Sequence, residues 1–246
     1  MSSELRHGLT KDMLTLHLGD PTVGRQAHVL FTGVGGSIGM AIERRLRQAG
    51  AKISALSHVP SGGANVVDFS DDDALTRAVT VLGDLDNIVL SHGLLEPGPW
   101  HEVPASKWRK MLDVNLNSIY SVLYAALPNM RRGGSIVIIS STAALDHSPV
   151  GGPHYTVSKW GLNGLVRHLA YELGPRGIRI NSIMPSLVDN PMGRALLTEA
   201  EYLSAIQDIP LRRAAEPDEI AKVTLFLLSD SASYVTGVNL PVSGGR

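Results

Sequence analysis

The stretch Thr32-Gly33-Val34-Gly35-Gly36-Ser37-Ile38-Gly39 lies between an apolar run, 27–31, and a segment, 37–49, whose apolar residues recur at helical spacing. Glycines at a strand–helix turn let the backbone turn sharply and approach a pyrophosphate, which the N–H groups and dipole of the helix then bind. The stretch therefore predicts a dinucleotide site, with contacts from Gly33, Gly35, Ser37, Ile38 and Gly39. A tight turn without a ligand is the structural alternative.

The same residues also match a second motif. Gly35-Gly36-Ser37-Ile38-Gly39 fits G-x-S-x-G, the nucleophile elbow of serine hydrolases, which likewise lies on a strand–turn–helix. In that fold several strands and an oxyanion loop come before the elbow. Too few residues precede Ser37 to form them, so its position disfavours a serine hydrolase.

Strand and helix patterns alternate along the rest of the chain. Apolar runs predict further strands at 52–56, 64–67, 87–90, 135–139, 178–183 and 238–242. Helical spacing predicts helices at 71–82, 105–126, 155–173 and 217–228. Strands that are apolar throughout are buried on both faces, and strand–helix–strand units built from them form a parallel, doubly wound sheet. The sequence thus predicts an α/β fold with a seven-stranded parallel sheet and helices on both faces.

The length favours one domain spanning 1–246, because single cores stop growing at roughly 250–300 residues. Residues 1–24 form a polar, loosely specified lead-in. The irregular stretch 185–210 is long enough to be a substrate lid over a site.

Composition excludes several classes of protein. A formal net charge of −1 lacks the positive field of a nucleic-acid binder. No apolar stretch approaches the roughly 20 residues that span a bilayer, and the N-terminus has no signal-peptide pattern. The absence of cysteine excludes disulfides and thiolate metal sites, and the nine histidines show no metal-binding spacing on a helix. We therefore expect a cytoplasmic protein with no catalytic metal.

A phenol and an ammonium lie four residues apart in Tyr155-Thr156-Val157-Ser158-Lys159. On a helix this spacing places both groups on one face. An ammonium near a phenol favours the phenolate and lowers the pKa of the phenol, so that it can exchange a proton with a carbonyl or alcohol near neutral pH. Such pairs also occur by chance on helix surfaces.

Several separated motifs, taken together, resemble the short-chain dehydrogenase/reductase family in its compact single-domain branch. The resemblance covers nearly the whole chain, from about Ala27 to Gly245. In chain order the motifs are the glycine turn, Asn115 within Val114-Asn115-Leu116, Ser140-Ser141 at the end of a strand, Tyr155 with Lys159, Ile180-Asn181-Ser182-Ile183-Met184-Pro185, and the tail at 230–237 with Ser243-Gly244-Gly245.

The resemblance implies a Rossmann-like fold and an NAD(P)-dependent oxidoreductase that interconverts a secondary alcohol and a ketone. Tyr155 would be the general acid in reduction and the general base in oxidation, and Lys159 would lower its pKa and bind the nicotinamide ribose. Ser141 would bind the substrate oxygen, and Asn115 would hold a water of the proton relay. Gly93, Pro185, Val188 and Asn190 take family positions along the cofactor.

Two departures from the family pattern concern the cofactor. Serine stands at Ser37 where glycine is usual, and we expect binding to survive because serine is small. Leu90-Ser91-His92-Gly93 replaces the usual Asn-Asn-Ala-Gly, which removes two asparagines. His92 then either lies near the cofactor or is a packing histidine at the end of a strand.

Two further departures concern the catalytic centre and the loop after the sixth strand. Ser141 ends the strand but lies one residue farther from Tyr155 than usual, whereas Thr142 has the usual spacing. We favour Ser141, because a loop insertion costs less than a strand slip. Asn190 replaces a threonine that normally helps to hold the carboxamide, although backbone contacts from Val188 persist whatever the side chain.

The cofactor preference depends on the end of the second strand. An acidic residue there would bind the ribose hydroxyls and repel a 2′-phosphate. This strand ends in Ser57-His58, which favours NADP(H) slightly over NAD(H). Asp68, after the third strand, takes the family position that contacts the adenine; a helix cap is its structural alternative.

The remaining features leave the substrate undefined. His147 and His154 precede Tyr155 and fit solvated loop residues. Trp100, Trp108 and Trp160 fit core or subunit contacts rather than substrate platforms. Helices 105–126 and 155–173 are the faces by which relatives pair, so the resemblance implies a homo-oligomer, as a tetramer or a dimer. A small-molecule carbonyl or alcohol is the expected substrate. The alternative function is a non-catalytic dinucleotide-binding sensor or scaffold.

Overall fold

The computed structural model describes residues 26–61 and 63–246. The lead-in predicted at 1–24 lies outside the described residues. Seven strands form one sheet in the order β3-β2-β1-β4-β5-β6-β7, with every neighbouring pair parallel. The strands are β1 (His28–Thr32), β2 (Lys52–Ser57), β3 (Asn65–Val66), β4 (Leu85–Leu90), β5 (Met130–Ile139), β6 (Arg179–Pro185) and β7 (Asn239–Val242). The predicted doubly wound, parallel α/β fold is confirmed.

Eight α-helices connect the strands. They are α1 (Ser37–Gln48), α2 (Asp72–Thr80), α3 (Ala105–Leu112), α4 (Ser118–Ala126), α5 (Gly152–Leu173), α6 (Pro191–Ala195), α7 (Glu199–Gln207) and α8 (Pro217–Leu228), as counted over the described residues. The core has two layers because successive strand residues face opposite sides. Val29 and Phe31 pack with α1 and α8, whereas Leu30 packs with α2, α4 and α5.

The order of the strands places the site. The chain leaves β1 toward β2 on one side, and β4 lies on the other side of β1. In open α/β sheets, ligands bind where the order reverses in this way, at the carboxyl ends of the strands. The glycine turn after β1 and residues 91–94 after β4 meet at this point.

Two segments contain structure that was not predicted. The helix predicted at 105–126 is interrupted by a π-helical turn, Asp113–Asn117, in which the N–H of Ser118 bonds the carbonyl of Asp113. The stretch 185–210 contains the short helices α6 and α7, because Asn190 caps the first and a Thr198–Glu201 capping box begins the second. Within the described residues, no helix is long and apolar enough to span a membrane.

Candidate active site

The glycine turn brings the backbones of β1 and β4 into direct contact. Gly33 has a φ of 83°, and a side chain there would begin 2.5 Å from the backbone nitrogen of His92. A side chain at Gly39 would collide with the carbonyl oxygen of Gly33. Gly36 caps α1 without a side chain that could bond its first N–H groups, to which Ser37 and Ile38 belong. These N–H groups can therefore hold an anion.

The ends of β2 and β3 form the next part of this edge. Gly35 faces Ser57, whose hydroxyl lies 3.8 Å from where a side chain at Gly35 would start. Ser57 is buried and its hydroxyl accepts a hydrogen bond from the N–H of Val59 at 3.3 Å, whereas His58 is exposed. The turn, Ser57 and His58 thus lie close to one another, as the predicted cofactor site requires.

Asp68 is exposed beyond β3, and it is not a helix cap. Its carboxylate accepts from the N–H and hydroxyl of Ser70 at 2.8 and 2.7 Å, and these bonds hold its pKa below the ordinary value. The side chain of Asp71 caps α2 instead, by accepting from Ala74. The cap interpretation of Asp68 is therefore wrong, because α2 begins one turn later.

His92 is a packed residue rather than an open ligand. Its side chain is only 6% exposed, its ring stacks on Phe69 at 4.1 Å, and both ring nitrogens bond protein hydroxyls. Burial, with the nearby charges of Lys159 and His58, lowers the pKa of the imidazole to about 3. The packing alternative from the sequence therefore describes this residue.

Tyr155, Lys159 and Ser141 meet beyond the ends of β4 and β5. The hydroxyl of Ser141 lies near enough to the phenol of Tyr155 to lower its pKa, whereas Thr142 begins a short 3-10 turn. The Lys159 ammonium lies 5.6 Å from the centre of the Tyr155 ring and donates to the carbonyl of Ile139 at 3.2 Å. The extra residue before Tyr155 therefore leaves Ser141 in contact with the phenol.

Asn115 completes the cluster from the π-helical turn. Its amide oxygen accepts from the N–H of Leu94 at 2.6 Å, and its amide nitrogen donates to the carbonyl of Leu94 at 2.8 Å. A side chain at Gly93 would begin 3.5 Å from both Asn115 Oδ1 and Lys159 Nζ. The loop after β4 therefore passes close to both functional groups at Gly93.

Burial sets the electrostatics of this cluster and corrects one expectation. It raises the pKa of the Tyr155 phenol above its ordinary value, and the hydrogen bond from Ser141 offsets only part of that rise. Burial also lowers the pKa of the Lys159 ammonium to about 8. The pKa of Tyr155 is therefore raised rather than lowered as a whole, with burial of the phenol as the largest cause, while the effect of Lys159 on it stays a prediction from the sequence.

The segment after β6 adds a fourth side to the site. β6 ends at Pro185, and Val188 pairs with Ala215 as an isolated parallel bridge. The side chain of Asn190 accepts from the N–H of Gly193 at 2.7 Å and so caps α6. Asn190 therefore orders its own helix, while Val188 presents backbone beside the end of the sheet.

The histidines and tryptophans around the site divide by exposure. His147 is exposed, but His154 is fully buried in the first turn of α5, and its ring nitrogens have no hydrogen-bond partner among the described residues. The expectation of a solvated His154 is wrong because α5 begins at Gly152 and turns the ring inward. Trp100 and Trp160 are exposed, so they are not core residues.

Sequence reasoning did not find Ser118 and Ser158. Ser118 binds His92, and Ser158 lies 3.2 Å from the amide nitrogen of Asn115 while donating to the carbonyl of Tyr155. Both serines are buried on helices. A serine on an otherwise apolar helix face indicates a buried hydrogen bond, but the sequence does not show which residue the serine bonds.

Comparisons with known proteins show what the chain as a whole is similar to. The family model described as enoyl-(acyl carrier protein) reductase matches residues 33–246. Human dehydrogenase/reductase SDR family member 4 is 35% identical over 250 residues, covering 92% of this chain and 88% of the human protein.

Solved structures show the same similarity. A Brucella melitensis short-chain dehydrogenase/reductase described as a glucose/ribitol dehydrogenase has a TM-score of 0.85 at 28% identity, covering 91% of this chain and 98% of that one. BdcA, solved in complex with NADPH, has a TM-score of 0.82 at 29% identity, covering 91% of this chain and 95% of that one.

We expect the phenol of Tyr155 to ionise above the ordinary tyrosine value near 10, because burial disfavours the phenolate. An alkaline titration of phenolate absorbance, taken as wild type minus Tyr155→Phe, isolates this group. Ser141→Ala should raise the pKa further, because the hydrogen bond that favours the phenolate is lost. Ser148→Ala, in the preceding loop, should leave it unchanged. Ionisation at or below the ordinary value in the folded protein would contradict the expectation.

Proposed function

Because the chain belongs to the short-chain dehydrogenase/reductase family, we propose that it interconverts a secondary alcohol and a ketone by NAD(P)-dependent hydride transfer, with Tyr155 as general acid and base. The observation that carries this proposal is the cluster beside the glycine turn. Ser141 lies near enough to the Tyr155 phenol to affect its pKa, while Lys159 and Asn115 both approach Gly93. One edge of the sheet would thus carry both a dinucleotide-binding turn and a proton donor.

The chemistry follows from these groups. The dinucleotide supplies the hydride in reduction and accepts it in oxidation when it is bound. In reduction the substrate oxygen gains negative charge, and Tyr155 gives it a proton. Its raised pKa keeps the phenol protonated at neutral pH. Ser141 lies beside the phenol, and its single hydroxyl hydrogen can turn to the same substrate oxygen once a substrate is bound.

Oxidation needs Tyr155 to accept a proton, so the phenolate must be stabilised. Lys159 supplies a buried positive charge from the same helix face. Its pKa of about 8 leaves it mostly protonated at pH 7. The contacts of Asn115 with Leu94 fix the loop beside the ammonium, as its proposed role in a proton relay requires.

The segment after β6 offers backbone groups to the carboxamide of the nicotinamide. The bridge at Val188 is made by the N–H of Asp189, which donates to the Ala215 carbonyl at 2.8 Å, and by the Leu187 carbonyl, which accepts from Ala215 at 2.9 Å. The N–H and C=O of Val188 itself therefore point to the opposite side. Pro185 and Asn190 delimit this segment, and we assign them to the same side of the cofactor.

We also propose that residues 185–210 act as a lid on a chain that works as one domain. Arg194 on α6 donates to the carboxylate of Asp189, just before that helix, at 2.6 Å. The Arg194 guanidinium in turn lies over the Tyr202 ring at 4.6 Å. These contacts let α6 and α7 move as one unit. The cytoplasmic location and the small-molecule substrate stay predictions from the sequence.

Tyr155→Phe tests catalysis against the alternative of a dinucleotide-binding sensor. Removal of the acidic proton should lower turnover by about 10²–10⁴-fold in a screen of ketones and alcohols, with dinucleotide affinity nearly unchanged. Tyr171→Phe, which removes an exposed phenol from the same helix, should leave turnover unchanged. Wild-type turnover in Tyr155→Phe would remove the proton-transfer role, and tight dinucleotide binding without any turnover by the wild type would favour the sensor.

Ser57→Asp tests the preference for NADP(H). A carboxylate at the end of β2 should repel the 2′-phosphate and shift the NADPH/NADH affinity ratio toward NADH by about tenfold. Fluorescence titration of the purified protein with each dinucleotide measures this ratio. Ser57→Asn has the size of aspartate without its charge and should shift the ratio far less. Equal NADPH/NADH affinity ratios in the two variants would show that Ser57 does not lie at the ribose pocket.

A homo-oligomer is proposed from the outer faces of α4 and α5. Tyr120 and Tyr124 stack at 5.8 Å and are more than half exposed, and α5 adds the half-exposed Trp160. Exposed aromatic residues of this kind mark protein interfaces. We expect light scattering to give the mass of a tetramer or a dimer, and Tyr120→Glu/Tyr124→Glu to lower it. Leu203→Glu, on α7, should not change it. A monomeric wild type would contradict the proposal.

A further inference from the structure

His92 connects two parts of the site that lie on different elements. Its Nδ1 atom lies 2.6 Å from the hydroxyl of Thr32, the last residue of β1, and its Nε2 atom lies 2.7 Å from the hydroxyl of Ser118, the first residue of α4. The imidazole ring also stacks on the ring of Phe69. Thr32 and Ser118 are both fully buried. The imidazole is therefore their shared polar neighbour in the interior.

The hydrogen bonds of Ser118 determine which nitrogen of His92 carries the proton. The Ser118 hydroxyl donates its single hydrogen to the carbonyl of Val114 at 2.7 Å. It can then only accept from His92, so Nε2 carries the hydrogen. Nδ1 is left with a lone pair and accepts the hydroxyl hydrogen of Thr32. The hydrogen bonds thus form one series with a single direction: Thr32 donates to His92, His92 donates to Ser118, and Ser118 donates to the Val114 carbonyl.

The two ends of this hydrogen-bond series lie in functional segments of the proposed site. Thr32 precedes Gly33, whose backbone contacts that of His92. Val114 precedes Asn115 in the π-helical turn. His92 also precedes Gly93, which lies beside Asn115 Oδ1 and Lys159 Nζ. A shift of the His92 ring would therefore displace the glycine turn and the π-helical turn of Asn115 together.

We propose that His92 is a positioning residue, which holds the glycine turn and the π-helical turn of Asn115 in register through the neutral Nε2–H tautomer. This inference rests on the proposed function, because its effect is exerted on a dinucleotide site and a catalytic centre. His92 does not itself touch substrate, since its ring is almost fully buried and both nitrogens already bond protein groups. It acts through Thr32 on binding and through Ser118 on turnover.

His92→Ala should weaken dinucleotide affinity and lower kcat, each by about tenfold, because two buried hydroxyls lose their partner and their segments shift. His28→Ala is the matched control. His28 is also buried on the sheet, and its ring nitrogens bond the carbonyl of Asp84 and the hydroxyl of Ser54, but it lies at the opposite end of β1. It should cost stability without changing affinity or kcat. Equal functional losses in both variants would overturn the proposal.

Two amide variants separate positioning from packing. The oxygen of asparagine can replace Nδ1, so His92→Asn should keep the bond to Thr32 and recover dinucleotide affinity while kcat stays low. The amide nitrogen of glutamine can replace Nε2, so His92→Gln should keep the bond to Ser118 and recover kcat at saturating dinucleotide. Thr32→Val and Ser118→Ala should reproduce the two losses separately. Identical losses in all of these variants would indicate packing alone and overturn the proposal.

A spectroscopic measurement tests the network without relying on activity. Nitrogen NMR of histidine-labelled protein should show His92 as the neutral Nε2–H tautomer from pH 5 to 8, since its pKa lies near 3. Ser118→Ala should alter its Nε2 signal. A titrating His92, or the Nδ1–H tautomer, would overturn the proposal. A wild type that keeps the tautomer and binds dinucleotide but turns over no substrate would instead refute the proposed function, leaving the positioning of the turn to be judged by affinity.

Discussion

The close backbone contact between Gly33 and His92 is the constraint on which the rest of the site depends. It brings the carboxyl ends of β1 and β4 together at the point where the strand order reverses. A side chain at Gly33 would push β4 outward, and with it Gly93 and the loop that binds Asn115. The glycine turn and the cluster of Tyr155, Lys159 and Asn115 are thus connected through this backbone contact, so that a shift of one would shift the other.

Burial governs the chemistry as strongly as proximity does. It raises the pKa of Tyr155 and lowers that of Lys159, so in the free protein both changes favour a proton on the phenol and weaken the ammonium. A phenolate–ammonium pair therefore needs another positive charge nearby. The oxidised nicotinamide ring carries such a charge when bound. With that charge nearby, the Tyr155 phenol would lose its proton more easily and act as a base in oxidation. Without it, burial keeps the phenol protonated, so that it acts as an acid.

Patterns that recur locally in the sequence predict most of the fold. Each predicted strand and the helices α1 and α8 lie where apolar spacing put them, because that spacing directly encodes which faces are buried. The π-helical turn was missed, since it depends on one backbone bond between Ser118 and Asp113 rather than on side-chain pattern. His154 was misplaced because a helix that begins three residues earlier reverses which side of the residue faces water. The Tyr155 pKa was mispredicted because spacing reports neighbours but not desolvation.

The choice of a neutral, hydrogen-bonded ring at position 92 follows from the charges around it. Lys159 needs its positive charge for the proposed chemistry, and that charge contributes to the low pKa of His92. A second cation in this interior would repel Lys159 and oppose an oxidised nicotinamide, while an anion would pair with Lys159 and draw it from Tyr155. An imidazole that donates at one nitrogen and accepts at the other bonds two buried hydroxyls without adding charge. Leu90 and Ser91 replace the usual asparagines, and His92 supplies polar connections at the end of the same strand without disturbing the electrostatics of proton transfer.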